Sequence, residues 1–169
     1  MRSAYKMDKN EVCAKYAQTV STDDNYSTVD QNEAHFYLGK MAFTANDTIG
    51  AEKEFSACLK NNKGEQAAEA RFCLTKIKFM KGNYQRAEDA CYDIINEFPT
   101  YEHWIGETLL LLADVYTAEK EYIQAKSTLE TLFENVKDIA LQQRADEKMI
   151  QIQTKESNDS KLLNETPSK

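Results

Sequence analysis

Residues 67–99 are predicted to form a unit of two short amphipathic helices, and this unit limits the possible folds of the chain more than any other segment does. Apolar residues at spacings of three and four, among them Leu74 and Ile77, predict the first helix. Gly82 predicts the turn, because glycine readily adopts the left-handed conformation that ends a helix. Pro99 ends the second helix, since it has no amide proton. Two helices of this length cannot bury both apolar faces alone, so the unit requires neighbours of its own kind.

Two series of corresponding residues indicate that the unit is repeated. The first series is Leu38, Leu74 and Leu112, and the second is Ala51, Ala87 and Ala125. Each series advances by 36 and then by 38 residues. The alanines predict close helix crossings, where a larger side chain would clash. The sequence therefore predicts three successive units, over residues 31–62, 67–99 and 101–135.

The repeated pattern resembles that of the tetratricopeptide repeat (TPR) family over residues 32–135. Units of that family have two helices in about 34 residues, with a Leu-Gly pair, a small Ala, an aromatic residue four positions later and a closing Pro. The residues that carry the resemblance are Leu38, Gly39, Ala51 and Phe55, then Leu74, Gly82, Ala87 and Pro99, and then Leu112, Ala113, Tyr116 and Ala125. The resemblance implies an all-α fold, a right-handed α-solenoid of stacked antiparallel helix pairs, with about three repeats and a capping helix.

The flanking segments complete a helical repeat domain that is predicted to extend over residues 1–156. Residues 1–20 are predicted to be a partial unit that provides the second helix of a repeat. Residues 138–156 have one apolar and one polar face, which is typical of the capping helix that a solenoid needs for solubility. Residues 157–169 show no periodicity and predict a disordered tail. We expect about eight helices in total.

The charge and hydropathy of the chain argue against two kinds of interaction. Its 169 residues carry a net charge of −7. Nucleic acids and anionic lipid surfaces are bound by basic surfaces, so we expect no nucleic-acid partner. No window approaches the ~18 consecutive apolar residues of a membrane helix, so we expect no direct membrane insertion.

The sequence contains little material for a chemical site. It has two histidines and four cysteines, and no two cysteines form a CxxC pair. A catalytic dyad or a zinc site needs several such residues close together. We therefore expect a non-enzymatic protein with no catalytic residue, no cofactor and no metal, in which the cysteines are buried free thiols.

The first helices of TPR units line a concave groove, and the resemblance implies which side chains would contact a partner there. The implied groove residues are Phe36, Lys40, Phe43, Phe72, Lys76, Phe79, Met80, Leu110 and Asp114. The order Glu-x-x-Phe-x-x-x-Lys-x-x-Phe begins at Glu33 and again at Glu69. An aromatic stripe at helical spacing is also explained by burial inside the chain, so both interpretations stay open.

The leading functional interpretation is a scaffold that binds a partner protein, as an extended peptide or a helix, in the concave groove. The alternative is a structural spacer or oligomerisation segment of a longer multi-repeat protein, including a homo-oligomer that covers the phenylalanines. Residues 92–116 resemble TPR proteins of the bacterial cell envelope, such as lipoprotein subunits of outer-membrane assembly machinery and cell-division coordinators. The chain alone predicts a cytoplasmic location; a signal on a longer native chain would make it periplasmic or envelope-associated.

Overall fold

The computed structural model describes residue 5 and residues 10–165. Residues 10–165 form eight helices and contain no strand, so the prediction of an all-α fold is confirmed. The helices are α1 (Asn10–Thr22), α2 (Thr28–Thr44), α3 (Thr48–Cys58), α4 (Glu65–Met80), α5 (Tyr84–Glu97), α6 (Glu102–Ala118), α7 (Tyr122–Asn135) and α8 (Ile139–Glu165). We call α2, α4, α6 and α8 the A-type helices and the others the B-type helices.

The chain forms two compact units, of which the first ends at Lys81 and the second begins at Gly82. In the first unit, α2 packs against α1, α3 and α4. In the second unit, α6 packs in the same way against α5, α7 and α8. Each unit therefore has one A-type helix that contacts two B-type helices and the next A-type helix. The boundary between the units falls within the predicted repeat of residues 67–99.

A residue in the left-handed backbone conformation follows three of the A-type helices. These residues are Asn46, Gly82 and Lys120, with φ angles of 59°, 73° and 64°. They are separated by 36 and 38 residues, which is the spacing of the predicted repeats. In two of these turns the next amide, of Asp47 or Glu121, donates to the carbonyl five residues earlier, at 2.9 and 2.8 Å. The left-handed turns of the backbone therefore repeat with the same period as the sequence pattern.

Aromatic rings fill the centre of the first unit. Phe36 of α2 and Phe55 of α3 are 3% and 0% exposed, and their ring centroids are 6.4 Å apart. The centroid of Phe43 is 6.5 Å from that of Phe55. A Cβ atom added at Gly39 would lie 2.7 Å from Cδ1 of Phe55. The glycine therefore allows the Phe55 ring to lie directly against the backbone of α2.

Leucines fill the centre of the second unit. Residues 109–112 of α6 are all leucine and all buried. Leu132 of α7 and Leu141 of α8 are buried as well. A Cβ atom added at Gly106 would lie 2.6 Å from Cδ1 of Leu141. The contact between α6 and α8 is therefore close, and on the α8 side it is made by the flexible side chain of Leu141.

Small residues fill other buried positions that the sequence predicted. Ala51, Ala87 and Ala125 are fully buried. The four cysteines are buried free thiols, as predicted. Burial raises the pKa of Cys58 to about 11 and that of Cys73 to about 12. Both thiols are therefore protonated near neutral pH, where the reactive thiolate would otherwise begin to form.

The last helix is longer than the sequence predicted. A disordered tail was expected from residue 157, whereas α8 continues to Glu165. The added turns are held by side chains of the second unit: the Tyr122 hydroxyl donates to Asp159 Oδ2 at 2.6 Å, and Lys120 Nζ lies 2.9 Å from the same oxygen. Periodicity does not reveal such polar contacts between helices. Residues 166–169, the rest of the expected tail, lie outside the described residues.

Candidate partner-binding surfaces

Three of the predicted groove residues are buried in the structure. Phe36, Phe72 and Leu110 are 3%, 9% and 3% exposed. The Phe36 ring packs edge-on against Tyr37, with 5.4 Å between the centroids, in addition to its contact with Phe55. The expectation that these three side chains contact a partner in the groove is therefore corrected, and burial inside the chain, the other interpretation, explains them. They are part of the packing around the A-type helices and offer a partner almost no surface.

Two of the predicted groove charges connect neighbouring A-type helices. Lys40 Nζ of α2 lies 2.6 Å from Glu69 Oε1 of α4 and 5.3 Å from the centroid of the Phe36 ring. Burial disfavours the charge of Lys40, but the hydrogen bond and the negative charge of Glu69 outweigh it, so the pKa of Lys40 is raised. In the second unit, Asp114 of α6 forms an ion pair with Lys148 of α8. Both charges therefore have partners within the chain.

The remaining predicted groove residues keep some accessible surface in the first unit. Lys76 and Met80 of α4 are exposed, Met80 by 54%, and Phe79 is half-buried. These three residues lie on one face of α4, because side chains three and four positions apart are neighbours on a helix. Phe43 of α2 is half-buried as well. We call Lys76, Phe79 and Met80 the α4 surface.

The second unit contains an apolar cleft that the sequence did not predict. Its volume is about 430 Å³, within the range of about 300–1,000 Å³ that proteins use for binding pockets. The α5 side contributes Tyr92, Ile95 and Pro99, α6 contributes Ile105, Leu109 and Leu112, and α7 contributes Thr128, Thr131 and Asn135. We call it the α5–α7 cleft. It exists because α5 and α7 both pack on α6 and leave a space between them.

The α5–α7 cleft lies on the side of α6 that faces away from α8. At about 100° per residue, Leu109 and Leu112 lie roughly opposite Glu107 and Asp114 around the helix axis. Glu107 and Asp114 form ion pairs with α8, through Arg144 and Lys148 respectively. The cleft is therefore separate from the predicted groove, which was assigned to the A-type face.

A hydrogen-bonded group fixes one wall of the cleft. The Tyr116 hydroxyl donates to Glu88 Oε1 at 2.7 Å, so the Tyr92 hydroxyl, 2.8 Å away, donates to Tyr116. Burial and these two hydrogen bonds raise the pKa of Tyr116, which therefore stays protonated and keeps its donor. Tyr92 is thus held in place although it is 46% exposed. The sequence of α5 could have indicated this wall, because Tyr92 and Ile95 lie beside the packed positions Cys91 and Ile94 and widen the apolar face of the helix.

The described residues contain neither a candidate metal site nor a candidate membrane span. No group of three or more His, Cys, Asp or Glu side chains in this part of the chain is arranged to hold a metal ion. None of its helices combines the length and the apolar composition that crossing a membrane would require.

Comparison with known proteins identifies the fold. No protein-family model matches the chain, and neither does any curated protein. Among solved structures, the crystal structure of MamA is similar, with a TM-score of 0.63 and 17% sequence identity over 94% of this chain and 95% of that chain. MamA is a TPR-like protein. The similarity confirms the predicted TPR-like fold of helix pairs, and at this identity it concerns the fold alone.

Proposed function

We propose that this chain is a non-enzymatic scaffold that binds a partner protein on an A-type helix of its first unit. A TPR-like fold supports a role in protein interaction. The observation that carries the proposal is the α4 surface, where Lys76 and Met80 are exposed beside the half-buried Phe79. An apolar anchor with a charge next to it suits the binding of a peptide or helix, since the apolar contact supplies affinity and the charge selects the partner.

The α4 surface is smaller than the groove that the sequence predicted. Phe36 and Phe72 stabilise the helix packing, so we assign them no contact with a partner. Met80 is the main apolar contact instead, because its flexible side chain adapts to different partner surfaces. Phe43 occupies the position on α2 that corresponds to Phe79 and extends the surface by its accessible part.

Site-specific crosslinking in cells of the source organism tests the proposal. A photo-crosslinking amino acid at position 76 should yield a discrete adduct with one protein. The same amino acid at Lys53 is the control, because Lys53 is an exposed lysine of the B-type helix α3 in the same unit. An adduct of equal yield at both positions, or none at position 76, would overturn the proposal.

Affinity measurements with the purified crosslinked partner make the test quantitative. Met80→Ala should weaken binding by about 10-fold, as expected for an interface anchor. Lys76→Glu should mainly slow association and alter its salt dependence, because a charge at the rim of an interface steers the encounter. Lys53→Glu should change neither rate. The proposal fails if Met80→Ala and Lys76→Glu bind like the unaltered protein.

The alternative function, a structural spacer or oligomerisation segment, is favoured by one observation. Phe36, Phe72 and Leu110 are already covered within the chain, as a spacer without a binding groove requires. Chemical denaturation of Phe79→Ala separates the two functions. If the chain is a scaffold, the substitution should lower the free energy of unfolding only slightly, because Phe79 keeps accessible surface. If it is a spacer, the free energy of unfolding should fall by about 3–5 kcal/mol, as is typical of a core phenylalanine.

A further inference from the structure

We infer that residues 153–162 of α8 form a strap, which is closed over α7 at low ionic strength and opens as salt is added. The strap goes beyond the proposed function, because it belongs to the second unit and includes no residue of the α4 surface. Three observations support it: the change of residue type along one face of α8, the polar contacts of that face, and the place where the corresponding helix of the first unit ends.

One face of α8 changes from apolar to acidic after Ile152. Leu141, Ala145 and Ile152 lie on this face at helical spacing and are 2%, 0% and 2% exposed. The next positions of the same face are Glu156 and Asp159, four and seven residues after Ile152. Among residues 153–162, these two carboxylates are half-buried and every other side chain is exposed. The apolar packing of α8 therefore ends at Ile152, and carboxylates continue the contact face.

Polar groups of α7 and of the turn before it hold the two carboxylates. Lys126 Nζ donates to both oxygens of Glu156, at 3.2 and 2.9 Å. The Tyr122 hydroxyl donates to Asp159 Oδ2 at 2.6 Å, and Lys120 Nζ lies 2.9 Å from the same oxygen. These hydrogen bonds lower the pKa of Asp159, which is therefore ionised near neutral pH. Charged contacts near the surface thus close the strap, and salt weakens such contacts.

The first unit has the corresponding ion pair but no strap. Glu52 of α3 and Lys126 of α7 are 74 positions apart, as corresponding residues of the two units are. Glu52 accepts two hydrogen bonds from Lys81, at 2.8 Å each, and Lys81 directly follows the end of α4. The chain then turns at Gly82, whereas α8 continues to Glu165. The strap is therefore an addition to the repeat, and the packing of the helix pairs does not require it to stay closed.

Salt should open the strap without disturbing the rest of α8. The range of ionic interactions falls from about 10 Å at 0.1 M salt to about 3 Å at 1 M, whereas the packing of Leu141 and Ile152 does not depend on charge. A helix end that loses its contacts frays, because short helical segments are only marginally stable in water. Opening also uncovers Lys126 and Tyr122, which is 9% exposed when the strap is closed. The strap therefore controls access to this part of α7.

Hydrogen exchange measured by mass spectrometry tests the strap at two salt concentrations. Amide protection of residues 153–162 should fall by ~10-fold or more between about 0.05 M and about 1 M sodium chloride. Residues 139–152 of the same helix are the internal control, and their protection should stay within about twofold. An equal loss of protection in both parts of α8, or no loss in the strap, would overturn the inference.

Charge reversal on the α7 side identifies the contact that closes the strap. Lys126→Glu places a carboxylate against Glu156, so residues 153–162 should be weakly protected even at low salt. Lys137→Glu is the control, because Lys137 is exposed and lies next to the opposite end of α8. Exchanging the pair, with Lys126→Glu and Glu156→Lys together, should restore both the closed strap and its response to salt. A strap that stays protected in Lys126→Glu, or stays open in the exchanged protein, would overturn the inference.

Lysine labelling tests whether the strap covers α7. An amine-reactive acetylating reagent should modify Lys126 several-fold faster at high salt than at low salt. The rate is measured relative to that of Lys63, an exposed lysine of the turn before α4, which corrects for the effect of salt on the reagent. If the relative rate of Lys126 is the same at both salt concentrations, the strap does not control access to α7 and the inference is wrong.

Discussion

The two units of this protein share one arrangement of four helices but fill it with different side chains. In the first unit the ring of Phe55 lies against α2, and in the second unit Leu141 lies against α6. Both contacts depend on a glycine of the central A-type helix, Gly39 or Gly106. An aromatic ring cannot change its shape to accommodate an added atom, whereas a leucine can change rotamer. The two glycines are therefore about equally close to the side chain that packs on them, yet they should not tolerate a larger residue equally well.

The units also differ in the direction of the charges that join their A-type helices. In the first unit the earlier helix provides the base, Lys40, and the later helix provides Glu69. In the second unit the earlier helix provides the acid, as in the pair of Asp114 with Lys148. The opposite polarity means that an A-type helix from one unit would place like charges together if it paired in the other. The charges thus contribute to specificity as well as to stability.

Of the substitutions that distinguish the two units, the one in the aromatic core of the first unit is expected to change stability most. Phe55→Ala should lower the free energy of unfolding by about 3–5 kcal/mol, because it leaves a cavity between α2 and α3. Urea denaturation of the two proteins measures the difference. The control is Phe133→Ala, at a half-buried position of α7, which should cost clearly less. Similar midpoints for the two variants would mean that the first unit does not depend on its ring packing.

The two glycines should respond differently to a single methyl group. Gly39→Ala should destabilise by about 1–3 kcal/mol, since the new Cβ meets ring atoms of Phe55. Gly106→Ala should be close to neutral, because Leu141 can move and alanine gains up to about 1 kcal/mol of helix propensity over glycine. Thermal or urea unfolding compares them.

A double variant identifies the cause of the difference. In a Phe55→Ala background the ring is absent, so Gly39→Ala should no longer destabilise and should show the propensity gain instead. Such a change of sign is a coupling between neighbouring residues that a double-mutant cycle measures directly. If the double variant is destabilised by the sum of the two single effects, Phe55 is not the group that clashes with the new Cβ atom.

Much of the fold could be predicted from the sequence because it depends on local patterns. The positions of Leu38 and Ala51 in the repeats and the turn at Gly82 follow from spacing and from the conformational preference of single residues. The burial of Ala51, Ala87 and Ala125 agrees with the helix faces assigned to them.

The functional surfaces were harder to predict because they depend on which helix covers which face. Phe36 and Phe72 lie at the same positions of successive units, and their spacing is the same whether they are open or covered. The α5–α7 cleft is a space between side chains of three helices, and no spacing along the chain encodes it. The extension of α8 to Glu165 depends on contacts of Asp159 with residues almost 40 positions earlier.

Charge exchange tests whether the two A-type contacts are equivalent. Lys148→Asp should destabilise the second unit by about 1 kcal/mol, because it places two carboxylates together, and the added change Asp114→Lys should restore stability. In the first unit, Lys40→Glu with Glu69→Lys should restore less, since a glutamate at position 40 loses the contact with the Phe36 ring, worth about 0.5–1 kcal/mol. Urea unfolding of the two swapped proteins compares them. Full recovery in both would show that the ring contact adds nothing.

The smallest effect concerns the turns, where the first unit has Asn46 in the left-handed conformation and the second has Lys120. A residue with a Cβ atom is strained by about 1 kcal/mol in this conformation, and asparagine is strained less than lysine. Lys120→Gly removes this strain but also the exposed ion pair with Asp159, worth at most about 1 kcal/mol.

Comparing glycine with alanine at position 120 separates the backbone strain from the ion pair. Lys120→Ala loses the pair and keeps the strain, so the glycine variant should be more stable than the alanine variant by about 1 kcal/mol. Asn46→Gly should differ from the unaltered protein by only a few tenths of a kcal/mol, since asparagine tolerates this conformation. Urea midpoints resolve the order. Equal stability of Lys120→Gly and Lys120→Ala would mean that the turn imposes no backbone strain on Lys120, and the two units would then differ in their cores and charges alone.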